Sequence, residues 1–136
     1  MASEDILQAR SADPTPERTW LAALEQGRFL LQRSTSSGRY LFHPRVAEPL
    51  SGATDLAWVE ASGEGVVYAV TVVHPRPPAA PYTVALVDLA EGPRAMGRVE
   101  GLPPEAVRIG LAVKARVGRI DGVAALLFHP REAGHA

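Results

Sequence analysis

The sequence predicts a mainly β protein whose central strands curl into a small barrel. Two runs, over residues 66–74 and 82–89, are rich in Val, Thr, Tyr and Leu, which suit a pleated surface, and turn-forming residues bound them. Neither run has a cleanly polar face, which indicates strands covered on both sides or closed into a barrel. A third run, over residues 111–120, alternates between apolar and polar residues and is followed by Asp121-Gly122, a strong signal for a two-residue hairpin.

The N-terminal 27 residues predict a lead-in and one short helix. Residues 1–13 are small and polar without a clear period, so we expect a loosely held segment there. Thr15, Pro16 and Glu17 then supply a hydroxyl cap, a proline at the first helical position and an acid near the positive end of the helix dipole, and Gly27 is placed to end the helix. Its apolar stripe consists of Trp20, Leu21 and Leu24. Packing within the chain is the expected role of this stripe, and docking on a partner is the alternative.

The segment 28–60 predicts a small β knuckle. A strand over residues 29–32 enters a polar turn over residues 33–40, with Gly38 at its tip, and the chain returns through Leu41 and Phe42; a further strand covers residues 55–60.

The segment 61–130 predicts the barrel, with residues 131–136 as a fraying tail. After the two central strands, residues 94–99 form a third strand, residues 102–107 a helical turn opened by proline, and residues 111–120 and 123–128 the last two strands. The linker over residues 75–81 carries too many prolines for a tight hairpin and is expected to be a stiff, exposed loop. Five strands in a meander, with a helical turn between the third and fourth, match the strand count of an OB-fold barrel.

Bulk composition excludes several classes of protein. The 136 residues fit one ordinary domain, and 14 basic against 15 acidic residues argue against nonspecific binding to nucleic acid or to an anionic membrane. No stretch reaches the roughly 20 apolar residues that cross a bilayer, and the acidic N-terminus is unlike a signal peptide, so we expect a cytoplasmic protein. The absence of cysteine excludes disulfides and a thiolate nucleophile.

Chemistry-bearing residues form no catalytic pattern. The four histidines are scattered, the serines at 34–37 lack the context of a nucleophile elbow, and the glycines at 63 and 65 are not followed by a helix that could bind phosphate. His74 ends a strand beside the proline-rich loop, where it contacts a ligand or, as the more ordinary alternative, bonds locally. The sequence therefore predicts no active site.

Several short segments, in this order and spacing, resemble the acyl-CoA-associated OB-fold family called domain-of-unknown-function family 35. They lie at residues 30–33, 38–40, 42, 44–45, 54–60, 65–68, 72–74, 81–89, 91–94 and 108–110. The resemblance runs from about Trp20 to Phe128. It implies a rubredoxin-like zinc ribbon ahead of the barrel, with two Cys-x-x-Cys knuckles as zinc ligands.

The chain departs from this family at the zinc ligands. The ligand positions fall on Ser34, Ser37, Glu48 and Ser51. Serine hydroxyls stay protonated at neutral pH and bind zinc poorly, so we expect a degenerate, metal-free ribbon. Its knuckle loops are then expected to be mobile or to be shortened into ordinary turns. Its shape would depend on hairpin hydrogen bonds and on the packing of Leu31, Tyr40, Phe42 and Trp58.

The resemblance implies a non-catalytic accessory subunit that docks on a thiolase-like or acyl-CoA hydratase-like enzyme and helps to form or bridge an acyl-CoA site. No cofactor is expected to bind tightly to this chain alone, and a homodimer is an open alternative to a monomer. Large apolar or stiff exposed groups are the contact candidates. They are Trp20, Leu24, Tyr40, His74, Arg76, Pro77 and Pro78.

Two other functions stay open at this point. An OB barrel can bind single-stranded nucleic acid, which requires a basic groove with stacking aromatic residues. The chain has only eight Phe, Trp and Tyr residues and shows no basic stripe. Acyl-CoA chemistry by the chain itself would need a catalytic constellation, which the sequence does not show.

Overall fold

The computed structural model describes residues 15–49 and 51–131, which contain one α-helix, eight strands and a 3-10 turn. These are α1 (Pro16–Glu25), β1 (Leu30–Ser34), β2 (Tyr40–Leu41), β3 (Leu56–Glu60), β4 (Glu64–Val73), β5 (Tyr82–Leu89), β6 (Arg94–Val99), the 3-10 turn (Pro104–Ala106), β7 (Ala112–Ile120) and β8 (Val123–Pro130). The predicted lead-in and all but the first residue of the predicted tail lie outside the described residues. No described helix has the length and apolarity needed to cross a bilayer.

Helix α1 begins and ends where the sequence predicts, but two details differ. The side chain of Thr15 does not cap the first turn. The buried stripe consists of Thr19, Ala23 and Leu24 with part of Trp20, whereas Leu21 is 45% exposed. The C-terminal end of the helix contacts the β7–β8 hairpin, where the carboxylate of Glu25 forms a salt bridge with Arg119 at 3.1 Å.

Strands β1 to β3 form the N-terminal sheet, an antiparallel sheet in the order β2-β1-β3. Gln32 in the central strand lies opposite Leu41 on one side and Trp58 on the other. The turn between β1 and β2 closes because Gly38 adopts a φ of 78°, and its N–H donates to the carbonyl of Ser34 at 2.8 Å. The predicted hairpin is confirmed.

The remaining strands form a closed barrel in the order β4-β5-β6-β8-β7, which confirms the predicted OB-fold barrel. The predicted meander is wrong. Strand β7 lies between β8 and β4, and β8 pairs with β6 in parallel at Arg98 and Val99. The cause is the connection after β6, which carries the chain through the 3-10 turn back to β4, where the N–H of Gly110 donates to the carbonyl of Val67 at 2.9 Å.

One apolar core joins the N-terminal sheet to the barrel. Phe29 and Leu31 pack in the same cluster as barrel residues such as Val67 and Phe128. The inward set predicted for β7 is confirmed, since all four side chains pack in or against this cluster. They are Leu111, Val113, Ala115 and Val117. The boundary predicted between residues 60 and 61 stays a prediction, and packing crosses it.

Candidate functional site

The four positions that correspond to zinc ligands in the resemblance lie together. The hydroxyl of Ser37 donates to Oε2 of Glu48 at 2.9 Å, and the hydroxyl of Ser51 donates to Oε1 of the same carboxylate at 2.9 Å. Glu48 is only 4% exposed, and Ser34 is fully buried. We call Ser34, Ser37, Glu48 and Ser51 the knuckle cluster. At its centre, the carboxylate of Glu48 accepts hydrogen bonds from one hydroxyl in each of two turns.

Two matching turns position these side chains. The first turn starts at Ser34 and the second at Glu48, and in each the N–H of a glycine four residues on donates to the starting residue's carbonyl at 2.8 Å. Gly38 and Gly52 both have a positive φ, 78° and 73°, which explains why glycine occupies each position. Sequence reasoning identified the positions but not the matched Ser-x-x-Ser-Gly and Glu-x-x-Ser-Gly pattern, which was the available signal.

Hydrogen bonding keeps both acids of this region in their charged forms. Donation by Ser37 and then Ser51 lowers the pKa of Glu48 below its usual value. The hydroxyl of Thr35 donates to Oδ2 of Asp55 at 2.8 Å and is the main reason that the pKa of Asp55 is also lowered. The sequence predicts that apolar packing and hairpin hydrogen bonds hold this region together. The structure shows that packing, with Trp58 4% exposed, and adds a polar network that the sequence pattern did not indicate.

Three of the predicted contact residues are engaged within the chain. Leu24 is 2% exposed, so it is not available as a docking residue in this fold. Trp20 is half-buried, donates its Nε1–H to the carbonyl of Leu30 at 2.9 Å, and packs edge-on against Phe42. Tyr40 is half-buried beneath the guanidinium of Arg33. Of the predicted helix stripe, Trp20 and Leu24 pack within the chain, whereas Leu21 is exposed.

The other predicted contact residues lie beside a shallow groove between the β4–β5 loop and the 3-10 turn. We call it the loop groove. Its volume is about 450 Å³, and it is lined by Val72, His74, Ala80, Pro81, Pro104 and Glu105. Arg76, Pro77 and Pro78 lie in the same loop and are exposed, but they are not part of the lining. Sequence reasoning found the loop and missed the contribution of the 3-10 turn, which comes from a distant part of the chain.

The outer surface of β4, β5 and β6 carries an apolar face that sequence reasoning did not single out. We call it the outer barrel face, and it consists of Val66, Tyr68, Tyr82, Leu86, Arg94, Met96 and Arg98. Leu86 lies opposite Met96, and these side chains are 37% and 59% exposed. A bulge between Val67 and Ala69 leaves Tyr68 47% exposed on the same face. Large apolar groups that share one face are a recurring mark of interaction surfaces.

Two arginines stack on the tyrosines of this face. The guanidinium of Arg94 lies 3.5 Å from the ring centre of Tyr68, and that of Arg98 lies 3.7 Å from the ring centre of Tyr82. Arg94 also pairs with Asp88 at 2.6 Å, which raises the pKa of its guanidinium. Arg98 makes no salt bridge within residues 15–49 and 51–131.

Two arginines flank Met96 on this face and one of them is paired with Asp88, so the face is apolar with charged edges rather than a basic stripe, and sequence reasoning missed this arrangement. Residues 94, 96 and 98 alternate with buried or inward positions on β6, so their side chains share one side of the strand. That spacing was the sequence signal from which this face could have been predicted.

In the described part of the chain, no group of three or more His, Asp or Glu side chains could hold a metal ion.

Comparison with known proteins supports the fold and decides the family. The family model described as the C-terminal OB-fold domain of ChsH2 matches residues 58–118. A DUF35 domain-containing scaffold protein of Methanocaldococcus jannaschii is 33% identical over 116 residues, which cover 78% of this chain and 82% of that protein. The chain belongs to the DUF35 family.

Two further relatives of this DUF35 protein are named as parts of enzymes. A "Probable enoyl-CoA hydratase alpha subunit" of Thermomonospora curvata is 36% identical over 110 residues, covering 79% of this chain but only 34% of that subunit. A solved structure described as the Ltp2-ChsH2(DUF35) aldolase superposes with a TM-score of 0.76 at 32% identity, and the match covers 88% of this chain and 97% of that one. The chain thus spans about a third of the hydratase subunit and nearly all of the DUF35 chain of known structure.

Proposed function

We propose that this DUF35 protein is a non-catalytic accessory subunit that docks on an acyl-CoA enzyme of the thiolase-like or hydratase-like kind. The names of its relatives support this proposal, because they describe scaffold proteins and subunits of acyl-CoA hydratases. The acids whose pKa values are shifted within the described residues, Glu48 and Asp55, accept hydrogen bonds from neighbouring hydroxyls. They therefore hold turns together. We expect the protein to work in the cytoplasm.

The outer barrel face is the observation that carries the proposal. It presents Tyr68, Leu86 and Met96 side by side, and no other described element covers them. Tyrosine, methionine and arginine are enriched in protein interfaces, where desolvated aromatic groups contribute most of the binding energy. Because Arg98 has no carboxylate partner in the described chain, the matching surface on the enzyme should be apolar with an acidic residue placed to meet it.

A binding measurement with matched variants tests the proposal. Thiolase-like and hydratase-like proteins from the same organism are purified and titrated calorimetrically with the wild type, Met96→Glu and Val46→Glu. Met96 and Val46 are 59% and 66% exposed, so neither change should alter stability by more than about 0.5 kcal/mol. Met96→Glu should weaken binding at least about tenfold, since it places a charge in the apolar centre, and Val46→Glu should not. Equal affinities for all three proteins would show that the outer barrel face is not the docking surface, and no binding to either enzyme would reject the proposed function.

The loop groove suggests how the chain contributes to a shared acyl-CoA site. Its lining is mostly apolar, with His74 and Glu105 among the lining residues. Such a lining suits an acyl or pantetheine chain better than a phosphate. The isolated subunit should show no measurable CoA binding, whereas in the complex His74→Ala should weaken acyl-CoA binding by about threefold to tenfold. An unchanged acyl-CoA affinity in the complex would exclude the groove from the site.

Single-stranded nucleic-acid binding is the second candidate, and the paired tyrosines and arginines on an OB barrel favour it. Against it, each ring already has a guanidinium stacked on one face, and the net charge of the chain is −1. Titration of a fluorescent oligothymidine at low salt separates the two functions. Salt-dependent binding that Arg98→Ala weakens would favour nucleic acid, and absence of binding would leave the docking function.

A further inference from the structure

The knuckle cluster occupies the place that a structural metal is expected to fill. The resemblance of this chain to its family implies zinc held by cysteines at the positions of Ser34, Ser37, Glu48 and Ser51. The residues present do not fit that metal, because three hydroxyls and one carboxylate lack the soft, deprotonated ligands that structural zinc requires. We propose that the buried carboxylate of Glu48 replaces the metal, tying the two turns together through hydrogen bonds so that the N-terminal sheet folds without zinc.

The direction of each hydroxyl proton supports this assignment. Oγ of Ser37 accepts the N–H of Arg39 at 3.2 Å, and Oγ of Ser51 accepts the N–H of Ala53 at 3.2 Å. Because each serine oxygen already accepts a hydrogen bond from a backbone N–H, its own proton can be donated to Glu48. Both oxygens of the carboxylate are thereby used, one for each turn. The link joins turns that are 11 residues apart in sequence at Ser37 and Glu48.

The environment of Glu48 explains why this link is strong. A buried charge without partners is costly, whereas hydrogen bonds to an ionised group are about twice as strong as neutral ones. Glu48 is 4% exposed and forms no salt bridge with any described residue, so hydroxyl donors hold its charge. Ser34 completes the arrangement, since its Oγ accepts the N–H of Ser37 at 3.2 Å and lies 3.3 Å from Oδ1 of Asp55.

Metal analysis and thermal unfolding of the full chain test the proposal directly. Protein expressed in zinc-supplemented medium should contain far less than one equivalent of zinc. Its Tm should change by less than about 2 °C in either EDTA or equimolar zinc chloride. Stoichiometric zinc whose removal by EDTA lowers the Tm would overturn the proposal.

Substitutions test the role of the carboxylate. Glu48→Gln puts an amide N–H₂ against a hydroxyl that must donate, and should lower the Tm by about 5–10 °C. Ser37→Ala removes the hydrogen bond that joins the first turn to Glu48 and should lower the Tm by about 3–5 °C. The matched control is Glu17→Gln at an exposed position in α1, with an expected change below about 3 °C. A Glu48→Gln protein as stable as the control would contradict the proposal, and if Glu48→Gln fails to fold, Ser37→Ala decides.

Restoring the metal ligands tests the geometry. The variant S34C/S37C/E48C/S51C should bind one equivalent of Co²⁺ and show the intense absorption of cobalt–thiolate bonds, because the two turns already hold these side chains close together. Wild-type protein titrated in parallel should show no such absorption. A four-cysteine variant that takes up no cobalt would refute the claim that the carboxylate sits where a metal would fit.

Discussion

Replacing Gly97 by alanine is expected to weaken the barrel at the one place where its strands meet in parallel. A Cβ at this position would lie 2.6 Å from the carbonyl oxygen of Leu126 and 3.0 Å from the ring of Phe128. Ordinary contacts of a Cβ begin near 3.4 Å, so β6 and β8 would have to separate by several tenths of an ångström. Both neighbours are fixed, one as backbone and the other as a side chain with no exposure.

The size of the stability loss depends on how far the Leu126 carbonyl and the Phe128 ring can move away from the added Cβ. Overpacking costs about 1–3 kcal/mol, and a contact with backbone belongs at the upper end, so we expect a loss of about 3 kcal/mol and a fall in Tm of about 10 °C. Gly118 provides the matched control, because its Cβ would overlap only the end of the Leu127 side chain and no backbone atom. Gly118→Ala should therefore cost no more than about 1 kcal/mol. Urea denaturation of both variants measures the difference, and equal losses would refute the argument that the parallel seam is the rigid element.

Three further outcomes are expected. Acidification should lower the free energy of unfolding, because the folded-state pKa of Glu48 lies below its usual value near 4.5; the stabilisation is complete above that value and is lost as the pH falls through the folded-state pKa. Urea titrations between about pH 7 and pH 3 should show this dependence, and Glu48→Gln should reduce it to the part that the lowered pKa of Asp55 contributes. Trp20→Phe should cost about 1 kcal/mol in urea denaturation by leaving the carbonyl of Leu30 unpaired, whereas Leu21→Ala, at a position 45% exposed on the same helix, should cost less than about 0.5 kcal/mol. Tryptophan fluorescence, which reports on α1 and β3, should follow the same thermal transition as far-UV circular dichroism, because the N-terminal sheet and the barrel share one core; separate transitions would contradict that core.

The sequence predicted the elements better than their arrangement. Hairpins such as that at Asp121-Gly122, and the inward positions of β7, depend on neighbouring residues and were read correctly. The strand order was not, because the pairing of β6 with β8 joins Val99 to Phe128 across a whole strand and a 3-10 turn. No local pattern encodes such a pairing. It is set by the path of the connection that returns to β4.

The candidate sites show the same division. The positions of the knuckle cluster followed from the resemblance, but the burial of Glu48 and its bonds to two turns depend on tertiary structure. The outer barrel face could be predicted in part from the sequence, since residues 94, 96 and 98 alternate along one strand. The bulge that exposes Tyr68 on that face was not, because a bulge depends on the pairing of β4 with β5.

The knuckle cluster and the outer barrel face lie in different parts of the chain, yet the shared core makes each depend on the other. Phe29 and Leu31, on or beside β1, belong to the same buried cluster as Val87 of β5, the strand whose opposite side presents Leu86. Loosening the N-terminal sheet therefore removes support from behind the face. A rigid surface loses less conformational entropy on docking than a mobile one. We therefore expect the hydrogen-bonded carboxylate to support the proposed docking without touching the partner, by keeping the β4–β5–β6 surface in one shape.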